Sequence, residues 1–193
     1  MDGQNQQAVT VAHDARTTWV IDPVHSLIEF AVRHLMVSTF KGCFTGVAGA
    51  IVLDEVDRSH SRVEVAIDAA SVDTRDEQRD QHLRSADFLD VETYPRIIFE
   101  SWGVEPGNGA RAKVSGDLTI HGVTRLVVLE VELNGRVSAP VGGEVIGFSA
   151  ATTISRKDYG LTWNTALDAG GVLVGDEITI QLEIEAVKQH TSS

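Results

Sequence analysis

The amino-acid sequence predicts an all-β protein, an eight-stranded antiparallel β-barrel with one short helical insertion. Apolar and polar residues alternate with a period of two through most of the chain after residue 17, which is the pattern of strands with one face on a core. Most connections between these stretches are hairpin-sized and contain turn residues. The stretches are roughly 8 to 13 residues long, and sandwich strands average nearer 5 to 6, so their length favours a barrel.

Four strands are predicted in the first part of the chain, over residues 18–22, 26–34, 43–53 and 62–68. The second alternates clearly, because Ile28, Phe30, Val32 and His34 share one face. The third is rich in glycine, which predicts a bulge or a strong bend of the kind that barrels need at corners. The stretch 35–42 before it is predicted to be irregular.

Five strands are predicted in the second part of the chain, over 96–104, 112–120, 125–137, 145–154 and a last stretch after residue 175. The turns EPGNGA and HGVT separate the first three of them. The loop 155–175 precedes the last strand, in which Ile180 and Leu182 are in phase.

The segment 74–101 is the exception to this alternation. Thr74 followed by Glu77 has the spacing of a capping box, which predicts the start of a helix. The helix is short and highly charged, and Leu83 is its large apolar residue. Because long crossings in compact all-β domains are usually functional, we expect this segment to close or shape one end of the barrel.

Length and charge limit the functional classes. With 193 residues, one domain is the expected organisation. The net charge of −12 argues against a nucleic-acid partner and against lying on an anionic membrane. No stretch approaches the ~20 apolar residues of a membrane span, so stable membrane insertion is not expected. The single cysteine, Cys43, excludes an internal disulfide framework.

The expected domain boundaries are a mobile N-terminal tail over 1–17, a single barrel domain over 18–188 and a short C-terminal tail over 189–193. The first residues do not show a basic start followed by an apolar run, so no secretory signal is predicted. The expected location is therefore cytoplasmic.

Candidate catalytic or metal-binding residues are few. The histidines at 25, 34, 82 and 121 show no HExxH or CxxC spacing, and no acidic cluster is expected beside them, so neither a metal nor a cofactor is predicted. The enzymatic alternative is a hydrolase or a metal-dependent enzyme that uses His25, Ser26 and His34. However, no GxSxG elbow occurs, and adjacent strand residues point to opposite faces. We therefore do not expect an enzyme.

Several motifs occur in an order that is specific. They are DPVHSLIEFAVRHLM at 22–36, DAASVDT at 68–74, HLRSADFLDVETYPRIIFES at 82–101, VSGDLTIHGVT at 114–124, FSAATTISRKDYGL at 148–161 and VGDEITIQLEIEA at 174–186. This series resembles the YceI-like family over roughly residues 18–188. The resemblance implies a lipocalin-like barrel that binds polyisoprenoids, isoprenoid quinones or similar long amphiphiles such as fatty amides. It therefore implies a binding or carrier protein for an amphiphilic lipid, and with the exposed barrel strands it is compatible with a homodimer.

The inward faces of the predicted strands are the candidate ligand-binding lumen; the alternative is that they pack solidly against each other. The set comprises Ile28, Phe30, Val32, His34, Val65, Ile67, Ile97, Phe99, Leu118, Ile120, Leu129, Phe148, Ile154, Ile180 and Leu182. His34 is the candidate for contact with a ligand headgroup. Leu83, Phe88, Arg156 and Trp163 are the candidate gate at the barrel mouth.

Overall fold

The computed structural model describes residues 15–140, 143–166 and 172–189. The first six strands are β1 Arg16–Ile21, β2 Leu27–His34, β3 Ser38–Phe44, β4 Val47–Asp54, β5 Arg62–Asp68 and β6 Val72–Asp73. The helix α1 spans Glu77–Arg84. The remaining strands are β7 Arg96–Pro106, β8 Arg111–Ile120, β9 Val123–Ser138, β10 Glu144–Ser155 and β11 Val174–Lys188. Three 3-10 turns lie at Arg58–His60, Ala69–Ser71 and Arg156–Tyr159.

The strands form a closed antiparallel barrel. Neighbouring strands follow the order β1-β4-β5-β7-β8-β9-β10-β11, and β1 also pairs with β11, which closes the circle of eight. Strands β1 and β2 pair with successive parts of β11. Ile21, the last residue of β1, lies opposite Ala186, and Leu27, the first residue of β2, lies opposite Glu183. Strands β3 and β6 extend the sheet from β2. This architecture confirms the predicted fold class.

The prediction of one continuous strand over 43–53 is wrong, as is that of an irregular stretch over 35–42. Strand β3 begins at Ser38 and forms a hairpin with β2, and the chain then breaks at Thr45 and Gly46 before β4. The break occurs because these two residues turn their backbone N–H groups to Ser71, at 3.2 Å to its carbonyl oxygen and 2.9 Å to its hydroxyl oxygen. Those bonds replace ladder bonds at this point.

The first strand begins slightly earlier in the chain than expected, and the last strand ends at the expected boundary. Strand β1 begins at Arg16, inside the stretch 1–17 that was predicted as a tail, while residues 1–14 lie outside the described residues. Strand β11 ends at Lys188, next to the predicted boundary at 188, and residues 190–193 lie outside the described residues.

The helix of the insertion is present, but the predicted capping box is wrong. The N-cap is Asp76, whose carboxylate accepts a 3.0 Å hydrogen bond from the Arg79 backbone N–H. Thr74 instead donates its backbone N–H and its hydroxyl to Asp80. The aspartate therefore takes the capping position because the threonine side chain is already bound to a buried carboxylate.

Candidate functional site: the barrel cavity

The barrel encloses a cavity of about 480 Å³. This volume lies within the ~300–1,000 Å³ range of ligand pockets, so the interior is not packed solid. Fourteen of the fifteen predicted lumen residues line it, namely Ile28, Phe30, Val32, Val65, Ile67, Ile97, Phe99, Leu118, Ile120, Leu129, Phe148, Ile154, Ile180 and Leu182. That these residues bind a ligand stays a prediction.

The register of the strands explains why the inward faces meet. Val65 on β5 lies opposite Phe99 on β7, which lies opposite Leu118 on β8. On the other side of the barrel, Phe30 on β2 lies opposite Ile180 on β11. Side chains alternate along each strand. One register therefore places every second residue of each strand, which here is apolar, on the lumen side.

His34 is the predicted lumen residue that the structure places outside the cavity lining. Its ring packs edge-on against Phe40 on the neighbouring strand β3, with 5.3 Å between centroids. His34 is the last residue of β2, and its partner Val174 is the first residue of β11, where the pairing of the two strands is irregular up to Ile178. On this strand the cavity lining therefore ends at Val32.

The insertion covers one end of the cavity with its few apolar residues. Leu83, Phe88 and Leu89 line the cavity there, and Phe88 is buried. The centroids of the tilted Phe88 and Trp163 rings lie 5.2 Å apart, and both rings pack edge-on against His82, at 5.0 and 4.7 Å. Of the predicted gate residues, Trp163 thus lies behind Phe88 and not on the cavity surface.

Arg156, the fourth predicted gate residue, lines the cavity but is a fixed part of its wall. Its guanidinium donates to the carbonyl oxygens of Leu161, Trp163 and Gly175 at 2.6, 2.9 and 2.9 Å. Burial lowers the pKa of Arg156, and the Asp176 carboxylate opposes that shift. This side chain joins the loop after β10 to the start of β11.

Charged residues line the opposite end of the cavity. They are Asp54, Glu55, Arg58, Arg111 and Arg136. We call this set the charged mouth. The cavity therefore has one apolar end and one charged end.

Arg136 was missed because simple alternation from Leu133 would place it outside. Pairing between β9 and β10 shifts at Phe148, which lies opposite Leu133, whereas Gly147 lies opposite Gly135. The extra residue, Asn134, forms a bulge that turns Arg136 inward. The Arg136 guanidinium there lies 4.6 Å from the Trp19 ring and 2.9 Å from Glu55.

The residues of the enzymatic alternative do not converge. The Ser26 hydroxyl bonds both backbone groups of Glu185, at 3.2 Å to the carbonyl oxygen and 3.1 Å from the N–H. His25 faces Asp22 and Glu185, and His34 lies at the other end of β2. The serine hydroxyl therefore holds a strand junction.

The expectation that no acidic cluster accompanies the histidines is wrong at His25. Its Nδ1 lies 2.9 Å from Asp22 Oδ2 and 3.6 Å from Glu185 Oε1. Hydrogen bonding to the imidazole lowers the pKa of Asp22, and the same bond raises the pKa of His25. The sequence hid this group because Glu185 lies 160 residues away from His25 and joins it only through the pairing of β11.

Among the residues that the structure describes, no helix is both long enough and apolar enough to cross a bilayer.

The YceI-like domain model matches residues 19–186. The chain belongs to the YceI-like family. A UPF0312 protein of Staphylococcus aureus strain N315 is 37% identical over 170 residues, which cover 88% of this chain and 96% of the relative.

Solved structures share the fold. The YceI protein of Campylobacter jejuni is 32% identical and has a TM-score of 0.70, with 82% of this chain and 90% of that chain covered. BcnA of Burkholderia cenocepacia is 22% identical with a TM-score of 0.75, covering 86% and 98%. A polyisoprenoid-binding domain of Saccharophagus degradans is 16% identical with a TM-score of 0.65, covering 92% and 100%. The last two likenesses concern the fold alone.

Proposed function

We propose that this YceI-like protein is a binding or carrier protein that holds a long-chain isoprenoid, or a similar amphiphile such as an isoprenoid quinone or a fatty amide, in the barrel lumen. The observation that carries the proposal is the cavity of about 480 Å³ whose walls are mostly aliphatic and aromatic away from the charged mouth. Such a cavity removes an apolar chain from contact with water, and few of its lining side chains are of the types that act in catalysis.

The energetics favour a tail in this lumen. Each Å² of apolar tail surface that leaves water contributes about 25 cal/mol. A barrel strand of ten residues is about 33 Å long, and a tilt of roughly 35–45° leaves about 25 Å along the barrel axis, which is room for several isoprene units. The S. degradans relative, whose fold this chain shares, is described as a polyisoprenoid-binding domain, which supports the same class of ligand.

The two ends of the cavity give the ligand a direction. Leu83, Phe88 and Leu89 close one end with apolar surface, whereas arginines 58, 111 and 136 lie at the other. The tail end therefore lies under the insertion and the headgroup lies at the charged mouth. Arg111 is suited to a polar or anionic head, because its side chain is largely exposed and its 3.4 Å ion pair with Glu132 is itself exposed and therefore weak.

The experiment is native mass spectrometry of the purified protein before and after solvent extraction, followed by reloading. We expect a released amphiphile at one per chain, and stoichiometric rebinding when the extracted protein is offered polyprenols, quinones and fatty amides of increasing length. An extract free of lipid, together with no rebinding of any of these chains by the folded protein, would contradict the proposal.

Two further parts of the proposal concern the setting of the protein. The first is a cytoplasmic location. Fractionation of cells that express the natural gene tests it, and a periplasmic or membrane pool would contradict it.

The second is a homodimer. Size-exclusion chromatography with light scattering tests it, and the monomer mass would contradict it.

A further inference from the structure

A group of three metal-ligand side chains lies on the outside of the barrel, apart from the lumen. Asp22 and His25 belong to the short connection between β1 and β2, and Glu185 lies on β11. One ligand atom from each residue lies within 4.8 Å of the other two. Within the described part of the chain, it is the one group of three or more such side chains whose ligand atoms lie this close together.

Backbone hydrogen bonds hold the three positions together. The Asp22 N–H donates to the Glu185 carbonyl at 2.8 Å, and Ser26 clamps both backbone groups of Glu185. The Val24 N–H donates to Asp22 Oδ1 at 2.8 Å, which leaves Oδ2 directed at the imidazole. The convergence is therefore set by the strand junction and does not depend on contacts among the three side chains.

The donor spacing and the charge suit a cation. Metal–ligand bonds of ~2.0–2.2 Å place neighbouring donors about 3 to 3.5 Å apart. The observed 2.9 and 3.6 Å separations from His25 Nδ1 bracket that range. Within the described residues, neither Asp22 nor Glu185 pairs with a lysine or arginine, so two carboxylates face each other with only the imidazole between them.

From this geometry we infer that Asp22, His25 and Glu185 form a binding site for a divalent transition-metal ion. One imidazole nitrogen and two carboxylate oxygens are ligands of Zn²⁺ and Co²⁺, whereas Mg²⁺ and Ca²⁺ prefer oxygen alone. The side chains of Asp22, His25 and Glu185 are 24%, 62% and 38% exposed, so water can reach the remaining coordination positions. The bound ion links the β1–β2 connection to β11.

Two other histidines provide internal comparisons. His82 Nε2 lies 2.9 Å from Asp87 Oδ2, the same separation as in the His25–Asp22 pair, but one carboxylate takes part. His60 has two carboxylates, yet at 3.7 and 3.9 Å, and these three side chains do not bring one ligand atom each within 4.8 Å of one another as the His25 group does. His82 is therefore the matched control.

The test is titration of the chelator-treated full chain with Co²⁺, followed by its visible absorption, and with Zn²⁺, followed by calorimetry. We expect one ion per chain, a rise in melting temperature with Zn²⁺, and at least a tenfold loss of affinity in His25→Ala and Glu185→Gln. The glutamine variant keeps the backbone bonds of residue 185, so it separates ligation from folding. His82→Ala is expected to bind like the parent chain.

Two results would overturn the inference. One is the absence of stoichiometric binding to the folded parent chain. The other is binding that survives both His25→Ala and Glu185→Gln, which would place the ion elsewhere.

Discussion

The Thr74 hydroxyl and the Thr74 backbone N–H both donate to one oxygen of Asp80, at 2.5 and 2.9 Å. The Asp80 side chain comes from the middle of α1 and the residue is only 5% exposed. Arg79 adds bonds to the Thr74 hydroxyl and carbonyl oxygens, at 2.7 and 2.8 Å. This network fixes the helix of the insertion to the end of β6, and so positions the cover of the cavity.

Asp80→Ala removes the acceptor and leaves two buried Thr74 donors without a partner. Because a buried unsatisfied donor costs about 1–3 kcal/mol, we expect a loss of roughly 2–3 kcal/mol in the free energy of unfolding. Urea denaturation measures it, with Asp87→Ala as the control, because the exposed Asp87–His82 pair should contribute less than about 1 kcal/mol. Equal losses in the two variants would show that the network does not hold the insertion.

Gly122 and Gly109 both have positive φ, at 71° and 65°, but they differ in their surroundings. A Cβ at position 122 would lie 2.5 Å from Tyr94 Cε1, whereas nothing lies within 4 Å of a Cβ at 109. Gly109→Ala should therefore lower the free energy of unfolding only by the strain of the left-handed backbone, about 1–2 kcal/mol. Gly122→Ala should lower it by about 1 kcal/mol or more beyond that, because the new Cβ also overlaps Tyr94. Thermal unfolding compares them, and equal shifts would contradict the packing argument.

Arg156 and Lys157 are adjacent cations that share Asp176 as an ion-pair partner. Arg156→Ala leaves three carbonyl groups near the barrel wall without donors, so we expect a loss of about 3 kcal/mol or more in stability. Lys157→Ala breaks an exposed pair and should cost less than about 1 kcal/mol. A small effect of Arg156→Ala in denaturant unfolding would mean that it does not hold the loop.

Tyr159 is almost fully buried, and its hydroxyl has no hydrogen-bond partner among the described residues. Burial raises the pKa of Tyr159 to about 12, so between about pH 10 and 12 the folded chain keeps a proton that the unfolded chain has lost. Stability then falls with rising pH, by about 1.4 kcal/mol per unit. Tyr159→Phe should be about as stable as the parent or more stable near neutral pH, and should lack this alkaline loss.

Urea unfolding at about pH 9 and pH 11 is the measurement for Tyr159. The stability difference between Tyr159→Phe and the parent chain should increase between the two conditions. A constant difference would mean that the hydroxyl ionises as easily in the folded state as in the unfolded state.

The barrel and most of its lumen follow from alternation alone, because a period of two and one register determine which face each residue takes. Phe99 and Leu118 are examples, since they lie opposite each other in the regular part of the β7–β8 ladder, ahead of its bulge at Trp102. The errors lie where the ladder is irregular. Arg136 follows a one-residue bulge, which reverses the inward and outward assignment, and His34 is the last residue of β2, where the pairing with β11 is irregular.

The other misses depend on long-range pairing or on competition for a single group. Glu185 joins Asp22 and His25 only once β11 lies beside the β1–β2 connection, and no local pattern indicates that. Thr74 has the spacing of a helix cap, but its hydroxyl is bound to a buried carboxylate, so Asp76 takes the cap. Neither outcome can be read from residue spacing.

Leu126 and Leu129 lie on the same strand, β9, and face opposite sides of the barrel wall. Leu129 lines the cavity, whereas Leu126 is 61% exposed. A tryptophan at 129 occupies lumen volume that the tail needs, and a tryptophan at 126 adds the same side chain outside.

The most direct test of lipid binding in the lumen is the affinity of Leu129→Trp and Leu126→Trp for a long-chain polyprenol, measured after solvent extraction and with folding checked by circular dichroism. We predict at least a tenfold loss of affinity for Leu129→Trp and parent-like affinity for Leu126→Trp. Parent-like binding by a folded Leu129→Trp variant would contradict the account, since the tail would then lie outside the barrel.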